Sequence, residues 1–281
     1  MKNYTSEYVM VYPSHYSIQY KINPYMGGSV DLERAKEQWR SVKQELEQHS
    51  ATVHTVDPTE IYSNNNTELK HPKKLPDVVF AANHGVMIDG SFILPNMKTK
   101  QRSGEYEYVK SYMKELYPDI NLYDLSTPFE GCADLYIDEF TNNVWAGYGP
   151  RSNNNFIRQI QSKTDRNIID LQLTNNWFYH LDTCLFILDK STALFEATAF
   201  SEESEQKIYS QFDTVYECDS QKNDSFIPCN SIHLPTGQIL TAKKNKSVFE
   251  NIHHNKTVNY VTVDEFEKGG GSIRCMVLPI K

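Results

Sequence analysis

Residues 133–173 read ADLYIDEFTNNVWAGYGPRSNNNFIRQIQSKTDRNIIDLQL, and this stretch decides the fold class. Short runs at 133–138 and 143–149 predict two adjacent strands, because both combine aliphatic and aromatic residues. Residues 153–163 space their apolar side chains as one face of a helix, and 167–173 predict a further strand. The stretch therefore predicts a strand–strand–helix–strand unit of an α/β domain.

A similar order of elements recurs before and after this unit, at a period of roughly 50 residues. The upstream copy has predicted strands at 77–81 and 91–94, a helix at 103–117 and a strand at 121–124. The first downstream copy has predicted strands at 181–188 and 192–197 and a helix at 201–212. The second has predicted strands at 225–234 and 237–240, a helix at 246–255 and a strand at 258–263. The recurrence lies in the pattern alone, since the copies share almost no identity.

Further elements precede the repeats. Residues 31–49 predict an amphipathic helix with Asp31 as its N-cap, and 51–56 predict a strand. The polar stretch 62–74 predicts an exposed loop. No linker rich in Pro, Gly or Ser divides the chain. We therefore expect residues 1–281 to form a single α/β domain of repeated units.

Composition and charge exclude several classes of protein. Apolar residues make up 39% of the 281 residues and charged residues 23%, which is typical of a soluble globular protein. The net charge of −8 argues against a broad basic face for nucleic acid. The chain lacks both the apolar run of a membrane span and the apolar stretch of a signal peptide. We expect a cytoplasmic protein without nucleic-acid or membrane partners, and a homo-oligomer stays open.

The cysteine and histidine spacings argue against disulfides and metal sites. The five cysteines are an odd number at wide spacings, with no C-x-x-C pair, so a disulfide framework and a zinc ribbon are not expected. His253 and His254 are adjacent and would diverge by about 100° on a helix. No metal site is predicted.

Four segments carry side chains with catalytic potential. Three consecutive glycines let the backbone turn sharply shortly before Cys275. His180 and Asp182 would face the same side of an extended chain. Glu130 stands at a glycine bend, and Asn83 ends an apolar run. Each feature alone also has a structural explanation, such as a buried core cysteine, solvated carboxylates or an asparagine in a turn.

Taken together, seven segments resemble the guanidino-group-modifying superfamily, which includes arginine deiminases, dimethylarginine hydrolases, amidinotransferases and arginine dihydrolases. The segments are YKINPYMGG (20–28), LPDVVFAANHG (75–85), RSGE (102–105), FEGCAD (129–134), GYGPRS (147–152), YHLDT (179–183) and GGGSIRC (269–275). They follow the family's order along nearly the whole chain. The resemblance implies a five-bladed α/β propeller, the pentein fold, built from ββαβ units around a pseudo-fivefold axis. That fold agrees with the repeats predicted above.

The resemblance also implies a cysteine hydrolase without a cofactor or metal. Cys275 would be the nucleophile, His180 the general acid and base, Glu130 its partner, and Asp182 a ligand of the guanidinium. A thiolate is strong enough to attack a delocalised guanidinium carbon, and a histidine can protonate the leaving ammonia and then activate water. A carboxylate can fix the planar cation through paired hydrogen bonds.

The expected substrate is free L-arginine or a close analogue. Arg102 and Arg151 resemble the arginines that hold its α-carboxylate, where a planar fork is favoured over lysine. The INPYM segment adds two expected substrate-binding positions, Ile22 and the adjacent Asn23. Asn83 replaces the aspartate of the deiminases.

The FAAN form at Asn83 resembles the arginine dihydrolase branch, which leaves ornithine, two ammonia and carbon dioxide. Asparagine both donates and accepts, so it is suited to a neutral citrulline intermediate. The alternatives are a deiminase, a dimethylarginine hydrolase or an amidinotransferase of the same fold. A non-catalytic binding propeller is a further alternative.

Overall fold

The computed structural model describes residues 4–65, 69–219 and 226–281. The strands are β1 Glu7–Val11, β2 Thr52–Val56, β3 Val86–Ile88, β4 Ser91–Ile93, β5 Asn121–Tyr123, β6 Leu135–Ile137, β7 Val144–Tyr148, β8 Ile168–Gln172, β9 Leu185–Asp189, β10 Thr192–Glu196, β11 Thr214–Cys218, β12 Ile232–His233, β13 Ile239–Ala242, β14 Val258–Val261 and β15 Leu278–Pro279. The α-helices are α1 Leu32–Gln48, α2 Pro58–Asn65, α3 Glu105–Leu116, α4 Asn155–Gln161, α5 Glu202–Gln211, α6 Lys246–Asn251 and α7 Asp264–Glu267. None of the helices in the described ranges is long and apolar enough to cross a membrane.

The strands form five mixed sheets of three strands within the described residues. In each sheet the central strand pairs antiparallel with one neighbour and parallel with the other. A parallel pair needs a crossover connection, and α1, α3, α4, α5 and α6 each supply one. The predicted α/β class and its repeated unit are therefore confirmed.

One of the five sheets joins the two ends of the chain. β15, at the C-terminal end, pairs antiparallel with β1, and β1 pairs in parallel with β2 after the α1 crossover. The registers set Val9 opposite both Leu278 and His54. The amphipathic helix predicted at 31–49 is confirmed as α1, with Asp31 accepting a hydrogen bond from Arg34 N at 3.1 Å.

Three secondary-structure predictions are wrong. The strand predicted at 225–234 is confined to β12, Ile232–His233, because 228–231 form a turn; residue 225 lies outside the described residues. The apolar run at 77–81 does not form a strand but lies in two short 3-10 turns, Pro76–Val79 and Ala81–His84. A short apolar run does not distinguish a buried turn from a buried strand, and Pro76 donates no hydrogen bond to a ladder. The loop predicted at 62–74 begins within α2 and ends in a 3-10 turn; residues 66–68 lie outside the described residues.

A short turn precedes one edge strand of each sheet, namely β3, β6, β9, β12 and β15. These turns carry most of the side chains that the sequence marks as candidates for catalysis or binding. The turns are Ala81–His84, Gly131–Ala133, Leu181–Thr183, the stretch 228–231 and Arg274–Met276. Four hydrogen bonds link them in succession: Cys132 N to Gly85 O at 3.0 Å, Leu181 N to Asp134 Oδ1 at 3.1 Å, Asn230 Nδ2 to Asp182 O at 3.1 Å, and Cys275 N to Asn230 Oδ1 at 3.2 Å. Residues far apart in sequence thus meet at one place.

Candidate active site

A small cavity of about 20 Å³ lies beside these turns. The predicted site residues that line it are Asn83, Arg102, Arg151, His180 and Cys275, together with Ile22 and Asn23. Glu130 and Asp182 are fully buried directly behind the lining, in contact with His180 and Cys275 respectively. The structure therefore brings together all of the residues that the sequence analysis selected.

Three glycines bring Cys275 to the cavity. Gly270 has a φ of +87°, in the left-handed region, and a Cβ there would lie 2.5 Å from Asn23 Oδ1. A Cβ on Gly271 would overlap the Phe80 ring. Asn23 donates to Gly269 O at 3.0 Å, so its amide holds the 20–28 segment against the glycines. The close packing of these segments requires residues without side chains.

The Cys275 thiol has two polar partners. Its Sγ donates to Asp182 Oδ2 at 3.3 Å and accepts from Asn230 Nδ2 at 3.1 Å. Burial raises the pKa of the thiol well above its ordinary value, and the negative charge of Asp182 raises this pKa further. The residue is therefore a neutral thiol at neutral pH. A cation beside the sulfur would favour the thiolate.

Asn230, which the sequence analysis did not select, holds Cys275 in place. It is fully buried, and its amide bonds to both the backbone N and the Sγ of Cys275. The same Nδ2 donates to Asp182 O at 3.1 Å. Asn230 lies in the turn before β12, just as Cys275 lies in the turn before β15. The repeat in the sequence could place residue 230 in an equivalent turn, but it could not indicate the contact with Cys275.

Replacing Asn230 by aspartate is expected to raise the pKa of the Cys275 thiol, because a donor to sulfur becomes a carboxylate of similar size. Alkylation by iodoacetamide, a neutral reagent, should slow about tenfold at about pH 8 for each unit by which this pKa rises. The measurement is the rate of Cys275 alkylation against pH. Ser231→Ala is the matched control, since its Oγ bonds to Pro228 O and Thr241 Oγ1 instead. An unchanged profile in folded Asn230→Asp protein would contradict the expectation.

His180 and Glu130 form a buried pair. His180 Nε2 lies 2.7 Å from Glu130 Oε2, and a carboxylate only accepts, so Nε2 carries the proton. Burial would raise the pKa of Glu130, but the hydrogen bond from His180 and the charge of Arg151 outweigh it and hold this pKa well below its usual range. Glu130 therefore stays ionised and fixes the orientation of the imidazole.

Asp134 positions the turn that follows His180. Its Oδ1 accepts from Leu181 N at 3.1 Å, and its Oδ2 accepts from Ser152 Oγ at 2.6 Å. Ser152 Oγ also accepts from Glu130 N at 3.0 Å. The FEGCAD and GYGPRS segments are thereby tied to the YHLDT segment behind the cavity.

Arg102 orients the amide of Asn83. Arg102 Nη1 donates to Asn83 Oδ1 at 2.7 Å, and a guanidinium has no acceptor, so the amide oxygen must face it. The Nδ2 of Asn83 then lies 3.4 Å from both Glu130 O and His180 Nε2. Asn83 thus presents a hydrogen-bond donor on the side of the cavity where His180 lies.

Both arginines are held by carboxylates of the protein. Arg102 forms a bidentate pair with Glu105, with N–O distances of 2.8 and 2.7 Å. Arg151 donates to Glu130 Oε2 at 3.1 Å and to the carbonyl of Ile22 at 2.8 Å. Position 22 therefore contributes its backbone oxygen. These bonds leave at least one N–H group on each guanidinium for a further acceptor.

Two carboxylate oxygens lie buried at the cavity without a well-formed hydrogen bond: Asp182 Oδ1, and Asp77 Oδ1, which has the Tyr20 hydroxyl nearby. Burial raises the pKa of Asp77 to about 6 and also raises the pKa of Asp182. Buried acceptors without donors are unfavourable, and a cation with several N–H groups would complement both. Asp77 lies in the LPDVVFAANHG segment, although the sequence analysis did not select it.

No group of three or more His, Cys, Asp or Glu in 4–65, 69–219 and 226–281 is arranged to hold a metal ion. The groups at the cavity include a buried thiol, an oriented imidazole and several carboxylates. Such a set suits covalent catalysis on a cationic substrate.

Comparison with known proteins identifies the family. Residues 29–281 match the family described as N,N dimethylarginine dimethylhydrolase, eukaryotic. The uncharacterized protein ZK1307.1 of Caenorhabditis elegans is 32% identical over 96% of this chain and 92% of its own length.

A cyanobacterial enzyme is also similar. The bifunctional arginine dihydrolase/ornithine cyclodeaminase ArgZ of Synechocystis is 29% identical over 97% of this chain, which spans 37% of the length of ArgZ. The structure of the ArgZ N-terminal domain, a cysteine-to-serine variant bound to substrate, has a TM-score of 0.83 at 28% identity, with 98% of both chains covered. The chain therefore belongs to the eukaryotic N,N dimethylarginine dimethylhydrolase family, among the hydrolases of the guanidino-group-modifying superfamily.

Proposed function

We propose that the protein hydrolyses the guanidino group of free L-arginine through a covalent intermediate on Cys275, giving ornithine, ammonia and carbon dioxide. One observation carries the proposal: the neutral Cys275 thiol donates to Asp182 Oδ2, and the other oxygen of that carboxylate, Oδ1, accepts no hydrogen bond from a described residue. A guanidinium bound there satisfies that oxygen and supplies the positive charge that a thiolate needs.

The cavity supports a defined orientation of the substrate. The guanidinium lies against Cys275 and Asp182, and the α-carboxylate takes the remaining N–H groups of Arg102 and Arg151. The cavity of about 20 Å³ is much smaller than an amino acid, so arginine enters only when the wall rearranges. The 20–28 segment forms part of that wall, and hydrogen bonds of Asn23 to Gly269 and of Arg151 to the Ile22 carbonyl hold it in place.

In the first round the Cys275 thiol gives its proton to His180, the resulting thiolate bonds to the guanidinium carbon, and His180 passes the proton to one nitrogen, whose bond to carbon breaks as it leaves as ammonia. His180 then takes a proton from water, which attacks the same carbon and displaces the sulfur to give citrulline. A second round on the ureido carbon releases the second ammonia and a carbamate, which loses carbon dioxide. The balance is arginine and two waters to ornithine, two ammonia and carbon dioxide.

Asn83 supports the second round. Citrulline is neutral and presents a ureido oxygen, which needs a donor. Because Arg102 fixes the amide oxygen, Asn83 offers its Nδ2 on the catalytic side of the cavity. An aspartate at this position would offer only an acceptor.

Asn83→Asp is expected to shift the main product from ornithine towards citrulline. An acceptor facing the ureido oxygen costs about 1–3 kcal/mol, which slows the second round by roughly 5- to 150-fold while the cationic first substrate still binds. The measurement is a time course of both amino acids. Arg102→Lys is the companion variant: it retains a charge but loses the fork that orients Asn83. The same product ratio in Asn83→Asp and wild type would remove this explanation.

The family match favours a second candidate, the hydrolysis of N-methylated arginines to citrulline and a methylamine. Methyl groups on the guanidinium need apolar surface beside the reacting carbon. The wall of the cavity includes the polar side chains of Asn83, Arg102 and His180 beside the apolar surface of Ile22, Phe80 and Tyr179, and the charged and polar groups outnumber the apolar ones. This polar lining favours the unmethylated substrate.

The deciding experiment incubates the protein with L-arginine, with dimethylarginine, and with L-arginine plus glycine. We expect ornithine and ammonia in a ratio of one to two from arginine alone. Citrulline as the end product would assign a deiminase, and methylamine release a methylarginine hydrolase. Transfer of the amidino group to glycine would assign an amidinotransferase, and no turnover of any substrate would favour the non-catalytic alternative.

We also propose that the five sheets close into a five-bladed propeller that forms one domain. The β15–β1 pairing of the chain ends supports closure, as do the contacts between the Arg274–Met276 and Ala81–His84 turns. A cytoplasmic location is proposed as well, because the five cysteines are all free thiols, as a reducing compartment would keep them.

A further inference from the structure

A second cavity, of about 1100 Å³, lies across the turns from the first. No residue lines both cavities, yet neighbours in sequence line one each. Ala82 faces the large cavity and Asn83 the small one, and Arg274 and Cys275 divide in the same way. The turns therefore form a wall one residue thick between the two cavities.

Arg274 is a buried cation in the wall of the large cavity. The residue is 8% exposed, and its guanidinium carbon lies 4.0 Å from the centre of the Tyr136 ring. Within the described residues its side chain makes no hydrogen bond or ion pair. By contrast, Arg166, in the wall of the same cavity, is paired with Asp89 at 3.0 Å. Stacking on the ring covers one face of the Arg274 guanidinium and leaves its N–H edge for a planar anion.

Glu139, in the same wall, has a carboxylate oxygen that lacks a hydrogen-bond donor. Its Oε1 accepts from Thr5 N at 2.9 Å and from Thr5 Oγ1 at 2.8 Å. Its Oε2 is buried and makes no hydrogen bond to a described residue. The neighbouring Asp138 differs, because its two oxygens accept from Phe140 N and Thr141 Oγ1. Arg274 and Glu139 attract one another electrostatically but form no hydrogen bond or salt bridge. The cavity wall therefore contains a guanidinium and a carboxylate oxygen that each lack a hydrogen-bonded partner among the described residues.

We propose that this cavity binds a small zwitterion, an α-amino acid, with its carboxylate on Arg274 and its ammonium group on Glu139. A guanidinium fork and a carboxylate oxygen are the natural partners of these two groups. Tyr8, Tyr136 and Phe186 add aromatic surface to the wall, which suits an apolar side chain. The site is distinct from the catalytic cavity and does not depend on the proposed function.

The test is isothermal titration of the full chain with three ligands of one carbon skeleton. L-leucine has both charged groups, 4-methylpentanoate lacks the ammonium, and 3-methylbutylamine lacks the carboxylate. We expect leucine to bind and each analogue to bind about tenfold or more weakly, since each loses a set of charge-assisted hydrogen bonds. Leucine that fails to bind wild type, or binds no better than both analogues, overturns the proposal.

Variants assign the two contacts. Arg274→Met should weaken the binding of leucine and of 4-methylpentanoate by about tenfold or more and leave the binding of 3-methylbutylamine unchanged. Glu139→Gln should weaken the binding of leucine and of 3-methylbutylamine by a similar factor and leave the binding of 4-methylpentanoate unchanged. Arg166→Met is the matched control and should leave all three affinities unchanged, because that guanidinium already has a partner. Thermal unfolding checks each variant, and Arg274→Lys, which keeps the charge but loses the fork, replaces Arg274→Met if the latter does not fold. Leucine binding that both Arg274→Met and Glu139→Gln leave intact would place the ligand elsewhere and overturn the proposal.

Discussion

Replacing Cys275 by serine is expected to lower arginine turnover roughly 10⁴-fold or more, because a hydroxyl does not ionise where a thiol beside a cation does. Arginine should still bind, since the carboxylates and arginines of the cavity remain. The measurements are product formation over hours and calorimetric binding of arginine to the variant. Turnover within about 100-fold of wild type would exclude covalent catalysis through Cys275.

Cys218→Ser is the matched control for this variant. Cys218 is also buried, at the end of β11, and contributes to a different cluster of core side chains. Its replacement should lower the unfolding temperature while leaving turnover nearly unchanged, because a hydroxyl in an apolar core is unfavourable. Loss of activity in both variants without loss of folding would remove the distinction between Cys275 and the other cysteines.

The repeat in the sequence predicted most of the sheets, because each copy alternates short apolar runs with one amphipathic helix. It did not predict that β15 completes the sheet of β1 and β2. That pairing joins opposite ends of the chain, and periodicity is a local property that contains no information about such contacts. The 3-10 turns were missed for a related reason: an apolar run such as 77–81 is buried on all sides and resembles a strand.

The sequence predicted which residues form the candidate site, but it did not predict which of them contact one another. His180 and Asp182 were expected to face one side of an extended chain. Instead the backbone turns at Leu181–Thr183, so His180 pairs with Glu130 while Asp182 contacts Cys275. The identity of a side chain limits its chemistry, but its partner depends on where the turns of other sheets lie.

Asn230 illustrates what sequence reasoning could not reach. An asparagine in a polar turn is common, and nothing in the PCNSIHL segment indicates that its amide meets a cysteine 45 residues away. The Gly131 bend was more informative. Its φ is +65°, and a Cβ there would lie 2.5 Å from the carbonyl of Ala82, so glycine permits the close approach of the turns that carry Glu130 and Asn83.

Asp182→Asn is expected to change two measurements in opposite directions. Turnover should fall, because an amide replaces the carboxylate that we propose holds the guanidinium; two charge-assisted hydrogen bonds of about 1.5–3 kcal/mol each correspond to roughly 10²- to 10⁴-fold in kcat/KM. The Cys275 thiol should nevertheless become more reactive. The charge of Asp182 raises the thiol pKa, so its removal lowers that pKa and increases the thiolate fraction at neutral pH.

Kinetics with arginine and alkylation by iodoacetamide on the same preparation separate these effects. Each unit by which the thiol pKa falls should make alkylation about tenfold faster at neutral pH. Asp77→Asn is the matched control: Asp77 lines the cavity and is buried, but the hydrogen bonds of Cys275 Sγ go to Asp182 and Asn230. It should weaken turnover and leave alkylation nearly unchanged. If Asp182→Asn slowed both reactions together, the loss would reflect a general disturbance of the turn, and Asp182 would not be the carboxylate that sets the charge at Cys275.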